Sequence, residues 1–300
     1  MVTLRSLRRH PAVFKAMTGL SVVVFAELLD DALPALAAAE QQRLSRPNRQ
    51  RAIGAGHPYA LAPVEQVLAA VIWLRLYPTD RVLGWLFGID ETSVRRLRSR
   101  VLPVLERLGA DTMRLPDPGK GHRRDAAALL GLVPELAVIV DTFEQPVQRP
   151  AERTTADQWY SGKKKRHTRK VQVVVEEKTG QFVAVSDPEP GPTNDLALLR
   201  ESGVLAQLDD EVKVLGDLAY VGIAKLHPGG QTPRRKPRSK PRPPEDVDNN
   251  RAFARRRVVV EHSLARLRTY ARVTERDRHH RVDDGRRVAC AGLVNRQRAC

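Results

Sequence analysis

Apolar positions recur at helical spacing through roughly the first hundred residues and change to strand-like runs near residue 130. Residues 1–55 read as helix rich in Ala, Leu and Arg, with breaks at Arg46-Pro47-Asn48 and at 54–58, and no chemistry can be assigned to them. The run from Ala16 to Ala26 follows Arg5, Arg8 and Arg9 and could pass for a signal sequence. Lys15 and Glu27 bound it, and it is too short to span a bilayer, so a helix of the folded protein is the preferred reading.

From Pro63 the pattern sharpens. Val64, Val67, Leu68, Val71 and Ile72 predict an amphipathic helix behind a first-turn proline. Thr79 can cap a shorter helix carrying Val82, Leu83 and Leu86, stopping at Gly88. Asp90 or Thr92 can cap a third, whose stripe is Val94, Leu97, Val101, Leu105 and Leu108 and which Pro103 should bend. The opposite face carries Arg95, Arg96, Arg98 and Arg100. Three helices with a tight turn before a basic third one match a helix-turn-helix over 56–110, and an ordinary bundle with a solvated arginine face is the alternative.

Residues 111–129 read as a linker, and 130–300 as an α/β domain with a mixed sheet. Leu136 to Val140 is a buried strand ending at Asp141, and Val171, Val173 and Val175 turn through 177–180 into the strand 182–185. Asn194 or Asp195 caps a helix through Leu196, Leu199 and Leu205, and Val212 to Leu215 leads to Gly216-Asp217. Residues 225–250 form a Pro/Arg-rich basic insert, after which helix resumes near Asn250 with Phe253, Val260, Leu264 and Leu267 on one face and Glu261 beside it. The tail ends in a short apolar segment around Leu293.

Charge changes the picture from fold to partner. Fifty-one Lys and Arg against 35 Asp and Glu leave +16, which calls for a polyanion. Nucleic acid is favoured over a membrane because no long basic amphipathic helix stands out. Lys163, Lys164, Lys165, Arg166, Arg169 and Lys170 follow Tyr160 and would contact phosphates, with Tyr160 or Trp159 stacking on an unpaired base. Arg95, Arg96 and Arg98 on the third helix and Arg234, Arg235 and Lys236 in the insert are further candidates. Cys290 and Cys300 lack metal-ligand spacing and read as reduced bystanders.

Three acids carry the candidate chemistry. Asp141 and Asp217 each end a buried strand, and Glu261 lies on a basic helix. If those strands pair, the aspartates come within reach of one metal, and a helix across the sheet can add Glu261. Hard divalent ions take carboxylates, water and phosphate oxygens, and two of them about 3.5–4 Å apart would serve in-line displacement at a phosphodiester. Taken singly, Asp141 and Asp217 read as turn acids and Glu261 as a surface partner of Arg257 one turn earlier.

These residues resemble DDE-type transposases of bacterial insertion sequences, in the DDE superfamily endonuclease branch, which is similar to Harbinger transposases. The matching words are VIVDTFEQPVQRP at 138–150, YSGKKKRHTRKVQ at 160–172, DPEPGPTNDLALL at 187–199, GDLAYVGI at 216–223 and NRAFARRRVVVEHSLARLR at 250–268. Thr142 and Asn194 depart from the common pattern, where many relatives have Gly and His. The resemblance implies an RNase H-like mixed-sheet catalytic domain behind a helix-turn-helix, with Asp141, Asp217 and Glu261 as catalytic, metal-binding acids. It also implies two Mg2+ ions, replaceable by Mn2+, and double-stranded DNA as partner, both terminal inverted repeats and target. A homodimer or higher oligomer on DNA and a cytoplasmic, nucleoid-associated location belong to the same expectation. A DNA-binding relative without catalysis and a nuclease without strand transfer are the alternatives.

Overall fold

The computed structural model describes residues 1–45, 50, 52, 58–114, 136–239, 241–278 and 285–299. The breaks expected at 46–48 and at 54–57, and most of the linker, lie outside these. The chain divides into two compact units: Met1–Thr112 with Leu267–Glu275 and the last helix, and Met113–Arg266 with a short return.

The first unit is helical: α1 (Leu4–Arg8), α2 (Pro11–Thr18), α3 (Val22–Leu44), α4 (Pro63–Leu76), α5 (Asp80–Phe87) and α6 (Glu91–Ala110). Local signals place the ends. Pro63 starts α4, Thr79 Oγ1 accepts the Val82 N–H to cap α5, and Gly88 ends α5 at φ 69°. Asp90, rather than Thr92, caps α6, accepting the Ser93 N–H at 2.9 Å. The expected amphipathic face of α4 is a correction: every residue from Gln66 to Leu74 is buried. Such a helix is central to its bundle, and α1, α2, α3, α5 and α6 surround it. Among the described residues no single helix is long and apolar enough to cross a membrane.

The tail packs with the helices. Residues 271–274 form α10 and 285–299 form α11, and both pack within the helical unit rather than the sheet unit. Bare glycines make the α6–α11 crossing close: a Cβ on Gly292 would lie 2.2 Å from Gly109 Cα. Cys290 is fully enclosed there, and burial pushes its thiol up to about 12, which leaves it inert.

The second unit is built on a mixed sheet. Its strands are β1 (Ala137–Pro146), β2 (Tyr160–Ser161), β3 (Arg166–Glu176), β4 (Phe182–Val185), β5 (Glu189–Pro190), β6 (Lys213–Leu215) and β7 (Gly230–Gln231). The order along the sheet is β2-β3-β1-β6-β7, with β4 and β5 also on β3. β3 runs antiparallel to β1, while β6 is parallel to β1 and β7 to β6. This is the RNase H-like mixed arrangement. Helices α7 (Arg153–Trp159), α8 (Asp195–Glu201) and α9 (Pro244–Leu267) belong to the same unit. Val138, Val140, Val174, Val214, Leu199 and Tyr220 share one core cluster.

Three boundaries moved. β1 continues past Asp141 to Pro146 because β3 supplies partners as far as Thr168, so Asp141 stands within a strand. α8 stops at Glu201, short of Leu205, which opens a separate 3-10 turn. The insert carries more regular structure than its prolines suggest: β7 lies inside it, and α9 begins at Pro244, where a proline costs a helix nothing.

Candidate active site and nucleic-acid interface

Parallel pairing of β1 with β6 sets Ile139 opposite Leu215, and each strand reaches its aspartate two residues later, Asp141 and Asp217. Adjacent strands lie about 4.8 Å apart, so this register alone brings the two carboxylates together. Asp141 Oδ1 accepts the Thr142 N–H at 2.8 Å. Asp217 caps the next 3-10 turn, its Oδ1 accepting the Ala219 N–H at 2.8 Å.

The electrostatics agree with that proximity. Burial pushes the Asp141 carboxyl above the ordinary aspartate range, the Thr142 N–H and Arg257 oppose this, and the negative charges of Asp217 and Asp195 add to it. Burial likewise raises the buried Tyr220 hydroxyl, and Asp195, Asp141 and Asp217 contribute. A half-buried carboxylate among like charges is the donor set a hard cation suits.

Glu261 is not part of this cluster in the structure. It lies exposed on α9, and Arg257, one turn earlier, reaches Asp141 Oδ2 at 3.6 Å. Arg257 therefore serves Asp141, not the surface pairing with Glu261 that helix spacing suggests. Among the described residues no group of three His, Cys, Asp or Glu stands at metal-ligand spacing.

Asp195, read from the sequence only as a helix cap, is a further acid whose charge acts on Asp141 and Tyr220. Asn194 takes the capping role, accepting the Ala197 N–H, which leaves the Asp195 carboxylate free to accept from Lys170 Nζ at 2.7 Å and Thr142 Oγ1 at 3.3 Å. Local sequence held no signal for this, because the contacts join residues more than twenty positions apart.

The basic residues separate into two groups. Lys163, Lys164, Lys165 and Arg166 are exposed in the turn from β2 into β3, where Lys165 adopts φ 50°. Tyr160 is half-exposed beside them, its ring edge-on to His167 at 5.5 Å. Arg169 and Lys170 are buried, a correction to their assignment as phosphate contacts. Arg169 pairs with Asp277 at 3.4 Å over the Trp159 ring, and Lys170 with Asp195. Strand alternation cannot expose them, since β3 is covered on both faces there.

On α6, Arg95 and Arg96 are exposed, but Arg98 is withdrawn, 4.5 Å over the Trp73 ring and 3.0 Å from Asp80. In the insert Arg234, Arg235 and Lys236 are exposed. The Arg234 backbone exchanges two hydrogen bonds with the Asn250 side chain, and its guanidinium pairs with Asp246, so this end of the insert is tied to α9.

Residues 140–295, more than half of the chain, match the family described as DDE superfamily endonuclease. The chain belongs to that family. Residues 59–111, which hold α4, α5 and α6, match the helix-turn-helix of DDE superfamily endonuclease. The probable transposase for insertion sequence element IS702 of Microchaete diplosiphon is 29% identical over 283 residues, covering 94% of this chain and 93% of the relative. A piggyBac transposase in a synaptic complex with hairpin DNA, solved by cryo-EM, aligns with a TM-score of 0.42 and 12% identity over 98% of this chain and 76% of that one.

Proposed function

We propose that this DDE superfamily endonuclease is a metal-dependent transposase that cleaves and transfers DNA strands at the terminal inverted repeats of its element. The observation that carries the reading is the β1–β6 register, which sets Asp141 and Asp217 side by side. The likeness to the IS702 relative across nearly the whole of both chains supports it.

In this reading Asp141 and Asp217 supply anionic oxygens from one sheet, and Glu261 supplies a third from α9. Bound divalent ions, two Mg2+ or Mn2+ in their place, would activate a water or 3′-hydroxyl and stabilise the leaving oxygen. Arg257, one turn before Glu261 on α9, is the cation that faces Asp141. The lysines of the β2–β3 turn and Tyr160 hold substrate backbone and bases, while Arg95 and Arg96 of the helix-turn-helix and Arg234, Arg235 and Lys236 of the insert meet duplex phosphates. The protein then works in the cytoplasm on nucleoid DNA, as a homodimer or higher oligomer on the two element ends.

Asp141→Asn tests the site. The variant should bind element-end DNA as the parent does and lose magnesium-dependent cleavage in a plasmid nicking assay; undiminished cutting would remove Asp141 from the mechanism. A nuclease without joining is the second reading, and a pre-cut 3′-hydroxyl end supplied with a target plasmid separates the two, since only a transposase yields joined product.

A further inference from the structure

A buried polar network that the proposed chemistry does not use runs beside the two aspartates. Lys170 Nζ donates to Asp195 Oδ1 and to the Thr193 carbonyl, and its side chain is only 11% exposed. Thr142 Oγ1 donates to the same Asp195 oxygen. Gln172 Nε2 donates to the Asp195 carbonyl oxygen at 3.4 Å and to the Tyr220 hydroxyl at 3.1 Å. The network thus ends on two residues next to the acids. Thr142 follows Asp141 and gives it a backbone hydrogen bond, and Tyr220 closes the turn that Asp217 opens, its N–H donating to the Asp217 carbonyl at 3.0 Å.

An interior lysine–aspartate pair is an expensive way to hold a core together, because apolar residues of similar volume often stabilise as well or better. Its use is orientation. Residues behind a metal-binding group set the direction of its lone pairs, and losing them typically costs about 10- to 100-fold in metal affinity.

We infer that Asp195, held by Lys170, is a positioning residue for the acid pair. Through Thr142 on one side and Gln172–Tyr220 on the other it sets the spacing of Asp141 and Asp217, and so their affinity for a divalent ion. This rests on the reading of those two aspartates as metal ligands. The competing assignment makes Asp195 a ligand in its own right.

Mn2+ binding to the full-length, DNA-free protein, followed by titration calorimetry and by the electron paramagnetic resonance of free Mn2+, decides between them. Thr142→Val leaves every charge in place and cuts only the hydroxyl link; it should weaken Mn2+ binding about tenfold, with Thr142→Ser restoring it. The charge-balanced double variant K170M/D195N should lose at least as much, while circular dichroism shows a folded chain. If Thr142→Val and the double variant both bind Mn2+ as the parent does, the network is structural only and the inference is wrong. If Asp195→Asn alone matches Asp141→Asn while Thr142→Val has no effect, Asp195 is a ligand and the inference is equally overturned. Asp141→Asn binding Mn2+ like the parent would instead remove the metal site, and the inference with it.

Discussion

The helical unit and the sheet unit are both rich in cationic side chains, yet they distribute them differently. In the helical unit arginines are building material. Arg98, Arg272 and Arg286 lie 4.5, 5.9 and 5.2 Å from the centre of the fully buried Trp73 ring, and Arg100 stacks on Tyr59 at 3.3 Å. In the sheet unit the run from 163 to 170 exposes three lysines and Arg166 at the start of β3, and buries Arg169 and Lys170 further along it. A planar guanidinium is weakly hydrated and covers an aromatic face, whereas an ammonium keeps its water. Counting positive charge therefore overstates the solvent-facing cations of the first unit, whereas Lys163, Lys164, Lys165 and Arg166 of the second are all exposed.

The largest effect should come from removing the ring on which the arginines pack. Trp73→Ala is expected to cost about 3–5 kcal/mol in denaturant unfolding of the helical unit. A loss under about 1 kcal/mol would show that the arginines do not depend on the ring.

Arg98 and the lysine turn sharpen the contrast, because each should move one observable and not the other. Arg98→Ala breaks a shielded pair with Asp80 and should lower stability by roughly 2 kcal/mol, somewhat less than a fully buried pair. Its effect on the salt dependence of DNA binding should be small. Replacing Lys163, Lys164 and Lys165 together by Ala should leave the melting temperature within error and flatten the slope of log affinity against log salt by about 2–3. If the triple variant melts early and keeps its slope, the division between the units is wrong.

The smallest effect lies at Glu40, whose bond from Arg43 lowers its pKa from 4.5 to about 2, with burial opposing and Tyr59 assisting. A carboxyl lowered on folding adds stability that is present above pH 4.5 and lost as pH falls toward 2. The group is largely solvated, so screening keeps the effect small. Glu40→Gln should thus melt slightly earlier than the parent at pH 7, with the gap closing below pH 4; a gap constant from pH 7 to 2 would exclude the ion pair as its source.

Legibility followed range. The caps at Thr79 and Asp90 and the stop at Gly88 involve partners three or four residues away, so reading the chain locally places them well. The burial of α4 on all sides was not legible, since it depends on six other helices, α10 from the far end of the chain among them. Nor was the enclosure of Arg169 and Lys170, whose partners Asp277 and Asp195 lie 108 and 25 residues distant. Of the three expected acids, Asp141 and Asp217 announced themselves as the polar ends of apolar runs, and the β1–β6 pairing set them side by side. Glu261 had the motif, yet it lies exposed on α9 while Arg257, one turn earlier, is the residue of that helix that reaches Asp141.

By itself the sequence determined the excess of positive charge, the order of the main helices and strands, and which two aspartates follow buried apolar runs, because charge, period and capping act over a few residues. Only the tertiary structure decided which cations meet solvent and which pack on rings, that Asp195 reaches Thr142 beside Asp141, and that the last helix belongs with the first unit. Those outcomes depend on which distant surfaces exclude water together, and burial is a property of the assembled core rather than of any stretch of chain.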